Sequence, residues 1–219
     1  WIIGLLVVLL LAAGGWVVYF SSVFGVRDIR IEGTALVDSS QVEQVIGLGP
    51  DDALASVDLD AVATTIEQQL PPVQSAQVRR SWPGTLVVTI TERTPVATVK
   101  VDGAPWLIDA TGTPYLAVSD YPEKLPDLLP LEVEEPSPDS LATREAVAVI
   151  DGLTDDVREL VASVSAPSAG QVTLQLADGR VVIWGDSSRM KDKLTMLPGV
   201  LEHSGSQFDI SSPQAIVIK

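Results

Sequence analysis

Several things are scarce in this chain of 219 residues, and each scarcity excludes a class of chemistry. There is no cysteine. Disulfides, thiol nucleophiles and cysteine-built zinc sites are therefore out, and the fold must be held by its core alone. There is one histidine, His203. It has no second histidine with which to share a metal, and any Ser-His-Asp site would have to use it. It follows an amphipathic stretch, where a solvent-facing histidine at a helix end is the simpler reading. No G-x-S-x-G stretch offers a nucleophile elbow, and no glycine loop resembles a phosphate cradle. Basic residues are few, 14 Lys and Arg against 29 Asp and Glu, for a net charge of −15. Nucleic-acid binding would want a basic patch, and none is present. Nothing repeats at a solenoid-like period.

What the chain does have begins at once. Residues 1–26, WIIGLLVVLLLAAGGWVVYFSSVFGV, carry no charged side chain. About 20 apolar residues at 1.5 Å each cross a hydrocarbon core of about 30 Å, so residues 1–24 are expected to form a single transmembrane helix. Trp1, Trp16, Tyr19 and Phe20 sit near its ends, as interfacial aromatics do. A cleaved signal peptide is the rival. Ala12 to Gly15 would suit its cleavage site, but the apolar run continues through Phe20, which favours an uncleaved anchor. The chain starts on Trp1 rather than Met, so a preceding segment is expected. The following ~190 residues hold no second span and make one large soluble part.

After the run, Val26, Ile29 and Ile31 alternate with charges, and Gly33 ends a strand. Asp38-Ser39-Ser40 offers caps for a short helix, Gln41 to Ile46, closed by Gly47. Asp58 caps a second helix, Leu59 to Leu70, with Leu59, Val62, Ala63, Ile66 and Leu70 on one face. Val73 to Ser81 is a strand, and Trp82-Pro83-Gly84 a turn. In the next strand Leu86, Val88 and Ile90 face one way and Val87, Thr89 and Thr91 the other. The order β-α-α-β-β predicts two helices over one face of a three-stranded sheet. That strand stops on Glu92-Arg93-Thr94-Pro95, and another β-prone run, Val96 to Val101, starts immediately. The abrupt change reads either as a hairpin or as a domain joint.

Beyond Pro95 the pattern is mostly β. Asp102-Gly103 marks a turn, and Trp106 to Thr113 a strand and tight turn with Gly112 suited to a left-handed conformation. Residues 119–138 contain five prolines and many acids, which predicts an irregular surface segment. Ser140 to Leu153 reads as a helix with Leu141, Ala146, Val149 and Ile150 inward. Val161 to Val164 and Gln171 to Leu176 are strands, and Asp178-Gly179 turns into Arg180 to Trp184. Asp186-Ser187-Ser188 caps a helix from Arg189, with Met190, Leu194, Leu197 and Leu201 on one side and lysines opposite. Pro198 predicts a kink or an end near Met196. Phe208 to Ser212 and Ala215 to Ile218 close the chain.

Residues 120–160 concentrate the acid, with twelve Asp and Glu. The simplest reading is a solvated surface, a basic partner the sharper one. The pairs Asp51-Asp52, Glu134-Glu135 and Asp155-Asp156 would need a concave pocket to do acid/base work. Arg79-Arg80, before the Trp turn, is either a solvated strand face or a contact surface for acidic segments or lipid headgroups.

A β-α-α-β-β module one strand from a membrane anchor resembles the POTRA (polypeptide-transport-associated) domain, whose open sheet has two unpaired edges suited to strand addition. The motif series is more specific. VRDIRIEG at Val26 to Gly33, RSWPGTL at Arg80 to Leu86 with ERTPVA at Glu92 to Ala97, and IDATG at Ile108 to Gly112 come first. The helix at Lys191 to Leu201 and FDISSP at Phe208 to Pro213 follow in order. Together they resemble the bacterial cell-division family FtsQ/DivIB over nearly the whole chain.

The resemblance implies an α+β protein with a transmembrane helix (1–24), a POTRA domain (25–93) and a mainly β domain with flanking helices (94–219). Glu92 to Pro95 is then a joint. It implies a non-enzymatic scaffold of the divisome, without cofactor or metal. It would sit in the cytoplasmic membrane as a single-pass protein with its soluble part outside, at the septum. Its partners would be FtsB and FtsL, and through them FtsW and FtsI, which make septal peptidoglycan. In the family FtsB adds a strand to the last strand of the β domain, helped by the preceding helix. Mapped by motif, that edge is Gln207, Phe208, Asp209, Ile210, Ser211 and Ser212, with Arg189, Lys193 and Leu197 on the helix. Arg79 and Arg80 would be a POTRA surface. This sequence departs from well-studied members in stopping at Lys219, soon after the closing motif, which puts any longer C-terminal tail contact in doubt. The rival classes are a POTRA-bearing translocation or envelope-assembly component, which a C-terminal barrel would support, and a wall-acting enzyme, which convergent acids in a cleft would support.

Overall fold

In the computed structural model the described residues are 1–20, 25–121 and 127–219, with the side chains of 12, 13 and 15–20 left aside. They divide into two compact units, Trp1–Arg93 and Thr94–Lys219. Helix α1 covers Ile2–Phe20, 19 residues without a charge. At 1.5 Å per residue it is about 28 Å long, just under a bilayer core of about 30 Å. Among the described residues no helix is long and apolar enough to cross a membrane. Residues 21–24 of the expected crossing lie outside the described set. The aromatic side chains expected at its far end, Trp16, Tyr19 and Phe20, lie outside the described set.

The rest of the first unit is β1 (Asp28–Glu32), α2 (Ser39–Ile46), α3 (Leu59–Gln69), β2 (Val73–Ser81) and β3 (Thr85–Glu92). The caps fall where the sequence puts them. Asp38 accepts from Ser40 N and Asp58 from Ala61 N, while Gly47 ends α2 in the left-handed region. The sheet order is β1-β3-β2, with β1 parallel and β2 antiparallel to the central strand. Leu86, Val88 and Ile90 enter a core with Val42, Leu54, Ile66 and Val73. Val87, expected on the open face, is also buried. It is in register with Arg30 and Arg79, whose aliphatic stems are the neighbours available to cover it. Gly33 is required: its φ is +88°, and a Cβ there would lie 2.2 Å from Ile90 O.

The second unit contains β4 (Pro95–Val101), β5 (Ala104–Asp109), β6 (Pro114–Ala117), β7 (Leu129–Glu132), α4 (Leu141–Gly152) and α5 (Asp155–Arg158). Next come β8 (Val161–Ser165), β9 (Val172–Leu176), β10 (Val181–Gly185), α6 (Met190–Leu201), β11 (Gln207–Asp209) and β12 (Val217–Ile218). They make one nine-stranded sheet in the order β12-β11-β10-β9-β8-β7-β4-β5-β6. Two parallel pairs, β7 with β8 and β10 with β11, are bridged by helices α4 and α6. Both helices pack into a single core with the sheet, through Val147, Ile150, Leu197 and Val200. The Asp109 turn is closed by its own carboxylate, which accepts from Thr111 N at 2.9 Å and Thr113 N at 3.0 Å.

Three expectations for this unit are corrected. The segment 119–138 is not wholly irregular, since Leu129–Glu132 is a strand in the middle of the sheet, between β4 and β8. Leu129 and Leu131 point into the core there, and Pro130 faces solvent. Residues 122–126 of that segment lie outside the described set. Leu141 is exposed rather than inward, while Ala146, Val149 and Ile150 are buried as expected, joined by Thr143 and Val147. Helix α6 does not end near Met196 but runs through Pro198 to Leu201.

Candidate functional site

The last third of the chain builds one end of the nine-stranded sheet. Strand β10 stops at Gly185, whose φ of +85° and crowding by Ser211 Cβ, 2.8 Å from where a Cβ would stand, leave no room for a side chain. Asp186 then closes a turn, accepting from Ser188 N at 3.0 Å and Ser188 Oγ at 2.6 Å. From α6, Lys193 reaches back into this turn. Its Nζ donates to Asp186 O at 2.9 Å and to Asp186 Oδ1 at 3.2 Å, and lies 5.7 Å from the centre of the Trp184 ring. Lys193 is fully buried. A desolvated ammonium needs such partners, and a carbonyl, a carboxylate and an aromatic face supply them. The Ser188 hydroxyl first, and Lys193 after it, hold the Asp186 carboxyl below its ordinary range. Trp184 Nε1 is left without a partner. At the other end of α6, Arg180 donates to Leu201 O at 2.7 Å and lies over the Phe208 ring.

These locks return the chain as β11, parallel to β10. Phe208 and Ile210 are both fully buried. The strand ends where Asp209 accepts from Ser211 N at 3.0 Å and Ser211 Oγ at 2.7 Å. After a turn closed by Ala215 N to Ser212 O, β12 comes back antiparallel along β11. Gln207 and Lys219 exchange both backbone bonds, at 2.9 and 3.1 Å.

The predicted edge at Gln207 to Ser212 is thus corrected. Strand β11 is flanked by β10 on one side and β12 on the other, because the apolar residues after Pro213 fold back and take its free backbone groups. The exposed edge is β12. In an antiparallel ladder alternate residues bond to the same neighbour. Lys219 bonds inward to Gln207, and so Ile218, opposite Phe208, turns its N–H and C=O groups outward; the same alternation carried to Ile216, just before the strand, turns its groups the same way. This edge is apolar as well as open, with Ile216 41%, Val217 47% and Ile218 38% exposed. Sequence reasoning saw the apolar Ala215 to Ile218 run. Its signal, four apolar residues after a proline, marks a strand without saying which neighbour it takes.

The helix residues are corrected too. Lys193 and Leu197 are buried in the domain and present nothing to a partner, while Arg189 is exposed and paired with Asp192 at 2.9 Å. On the POTRA-type unit, Arg79 is exposed on β2. Arg80 is already engaged: its guanidinium donates to Leu54 O at 2.8 Å and also to Val57 O, holding the short helical turn Leu54–Ser56. A residue not anticipated is Glu92. Its carboxylate accepts from Ala35 N, Leu36 N and Val37 N at 2.8–2.9 Å. Arg93 donates through Nε to Pro71 O at 3.0 Å and through its backbone N to Pro72 O at 2.8 Å. The polar break that raised the choice between hairpin and joint is the clamp that closes the first unit.

For catalysis little is brought together. His203 lies just past α6 with Nδ1 3.0 Å from Gly199 O. Among the described residues no group of three or more His, Asp and Glu is placed to hold a metal. Of the acidic pairs, Asp52 accepts from Gly49 N, and Glu134 and Glu135 line an open hollow with Ser137 and Asp139.

The class that this arrangement defines is a small β-α-α-β-β module followed by a β-rich domain whose β12 end presents an open apolar edge. The POTRA domain, FtsQ-type, matches residues 24–93, and the cell division protein FtsQ/DivIB, C-terminal, domain matches residues 97–216. The chain belongs to the FtsQ/DivIB family of cell-division proteins. It is similar to the cell division protein FtsQ of Mycolicibacterium smegmatis, 35% identical over 98% of this chain and 63% of the relative. FtsQ of Mycobacterium tuberculosis H37Rv is 34% identical over 94% of this chain and 64% of the relative. FtsQ of Streptomyces venezuelae is 34% identical over 95% and 79%. The chain thus spans under two thirds of the length of the first two of these relatives.

Proposed function

We propose that this cell-division protein is a non-enzymatic scaffold whose β12 edge takes up an extended segment of an FtsB-type partner. Through FtsB and FtsL it acts on the FtsW–FtsI pair that makes septal peptidoglycan. The observation that carries this reading is the pairing of outward backbone groups with exposed β-branched side chains at Ile216 and Ile218. An uncapped apolar edge is a template for another strand. Main-chain bonds give the affinity, and alternate side chains the register. The uncharged run over residues 1–26 supports a membrane anchor, with the folded units on the extracytoplasmic side at the septum.

The test is a proline at Ile216 or Ile218. Either removes an outward N–H and leaves the bonds to Gln207 in place. Binding of FtsB and FtsL ectodomains to residues 27–219 should weaken at least about tenfold, one lost backbone bond plus a poorer fit at the edge. The melting curve should not move. Unchanged affinity for both variants removes β12 as the docking strand.

A further inference from the structure

Trp82 is the one large apolar side chain of the first unit, outside α1, that stands open to solvent among the described residues, at 52% exposure. It occupies the turn between β2 and β3, and that turn is tied to the start of β1. Arg27 N donates to Gly84 O at 2.8 Å, and Asp28 N reaches the same oxygen at 3.3 Å. A Cβ at Gly84 would meet Gly25 O at 3.0 Å and the Arg27 stem at 3.5 Å. The turn therefore sits at the end of the sheet where the chain arrives from α1. From Phe20 to Gly25 five residues reach at most about 18 Å. Strands β2 and β3 run away from this end for the rest of their length.

We propose that the Trp82 turn rests in the headgroup layer of the bilayer that holds residues 1–20, as a second, shallow contact beside the helix. This rests on the anchor reading above. Trp is suited to that layer, with an apolar ring and a polar N–H. Arg27 beside it has a long apolar stem and a charged end, the shape that snorkels at such a boundary. The charge nearby is mixed, since exposed Asp51 and Asp52 lie on the loop bonded to Val26 and Gly25. The contact is accordingly apolar rather than electrostatic, and vesicles of phosphatidylcholine alone suffice for it.

The absence of native cysteine allows single-site labelling. The full chain is reconstituted in phosphatidylcholine vesicles with an environment-sensitive fluorophore at Ser81→Cys, Gln74→Cys or Gly14→Cys, and quenched by lipids carrying a nitroxide at shallow or deep acyl positions. Gly14 reports the helix, and Gln74, at the far end of β2, reports the sheet away from the turn. The Ser81 probe should lose about half its emission or more to the shallow quencher, as an interfacial site does. The Gln74 probe should lose none. Trp82→Ala should return the Ser81 probe to the Gln74 level. A quenched Gly14 probe with an unquenched Ser81 probe overturns the proposal and leaves the anchor standing; this is also the result if a protein rather than lipid covers Trp82. Quenching at Ser81 that survives Trp82→Ala overturns it as well. An unquenched Gly14 probe removes the anchor reading and this inference together.

Discussion

Strands β11 and β12 lie side by side and bond to each other, yet they are opposite in kind. The side chains of Phe208 and Ile210 are fully buried, and their strand has a neighbour on each side. Val217 and Ile218 stand 47% and 38% exposed with one side unpaired. One strand sends its apolar side chain into the core and the other lies at the surface, although both are short. The difference comes from what α6 packs over. Its Leu197 and Val200 share one core cluster with Val182, Trp184, Phe208 and Ile210, a cluster that includes no residue of β12. Burial of side chains and availability of backbone are separate properties, and only the second makes a docking edge.

The contrast can be broken most severely at Ile210. An Ile210→Asp change puts a charge into a dry core and should cost about 4 kcal/mol or more, read as a lowered urea midpoint. Partner binding would vanish with the fold, so the variant says nothing about docking. A midpoint within about 0.5 kcal/mol of the parent would place Ile210 on the surface after all. Next in size, Glu92→Ala strips three backbone N–H groups of their charged acceptor and should cost about 2–3 kcal/mol. That loss should fall on the first unit, and amide exchange should rise at Ala35 to Val37 while β11 keeps its protection. Lys193→Met keeps the volume but forfeits both bonds to Asp186, for about 1–2 kcal/mol. It sharpens the comparison by loosening the turn that delivers β11. The proline variants at Ile216 and Ile218 should have the smallest effect on stability, under about 0.5 kcal/mol, as suits exposed positions.

A last effect is in pH. Asp186 is held below the ordinary carboxylate range by Ser188 and Lys193. A depressed folded value contributes stability above the unfolded value and loses it as pH falls through the folded one. The melting-temperature gap between the parent and Asp186→Asn should be full at pH 7 and shrink below about pH 4.

Local chemistry explains which parts of the fold could be read from sequence. The caps Asp38, Asp58 and Ser140 and the glycines at 33, 47 and 112 mark element ends by short-range rules, and each end lies within two residues of its expected place. Strand β7 was hidden because Leu129 to Glu132 is four residues long, contains Pro130, and pairs only with distant segments. The inward turn of Lys193 was hidden because a lysine at that helical spacing reads as solvent-facing until Asp186 is seen beneath it. The open edge lies one strand beyond its expected place for a related reason. Within the FDISSP motif Phe208 and Ile210 are core, and the apolar run after it is the strand left open.

The burial of Lys193 has a further use. An amine with no exposed surface is shielded from acylating reagents while the domain is closed, whereas Lys191, two residues earlier on the same helix, is open to them. The ratio of label at these two positions would therefore count how often the turn under α6 opens, making the pair a built-in clock for motion at the end of the sheet.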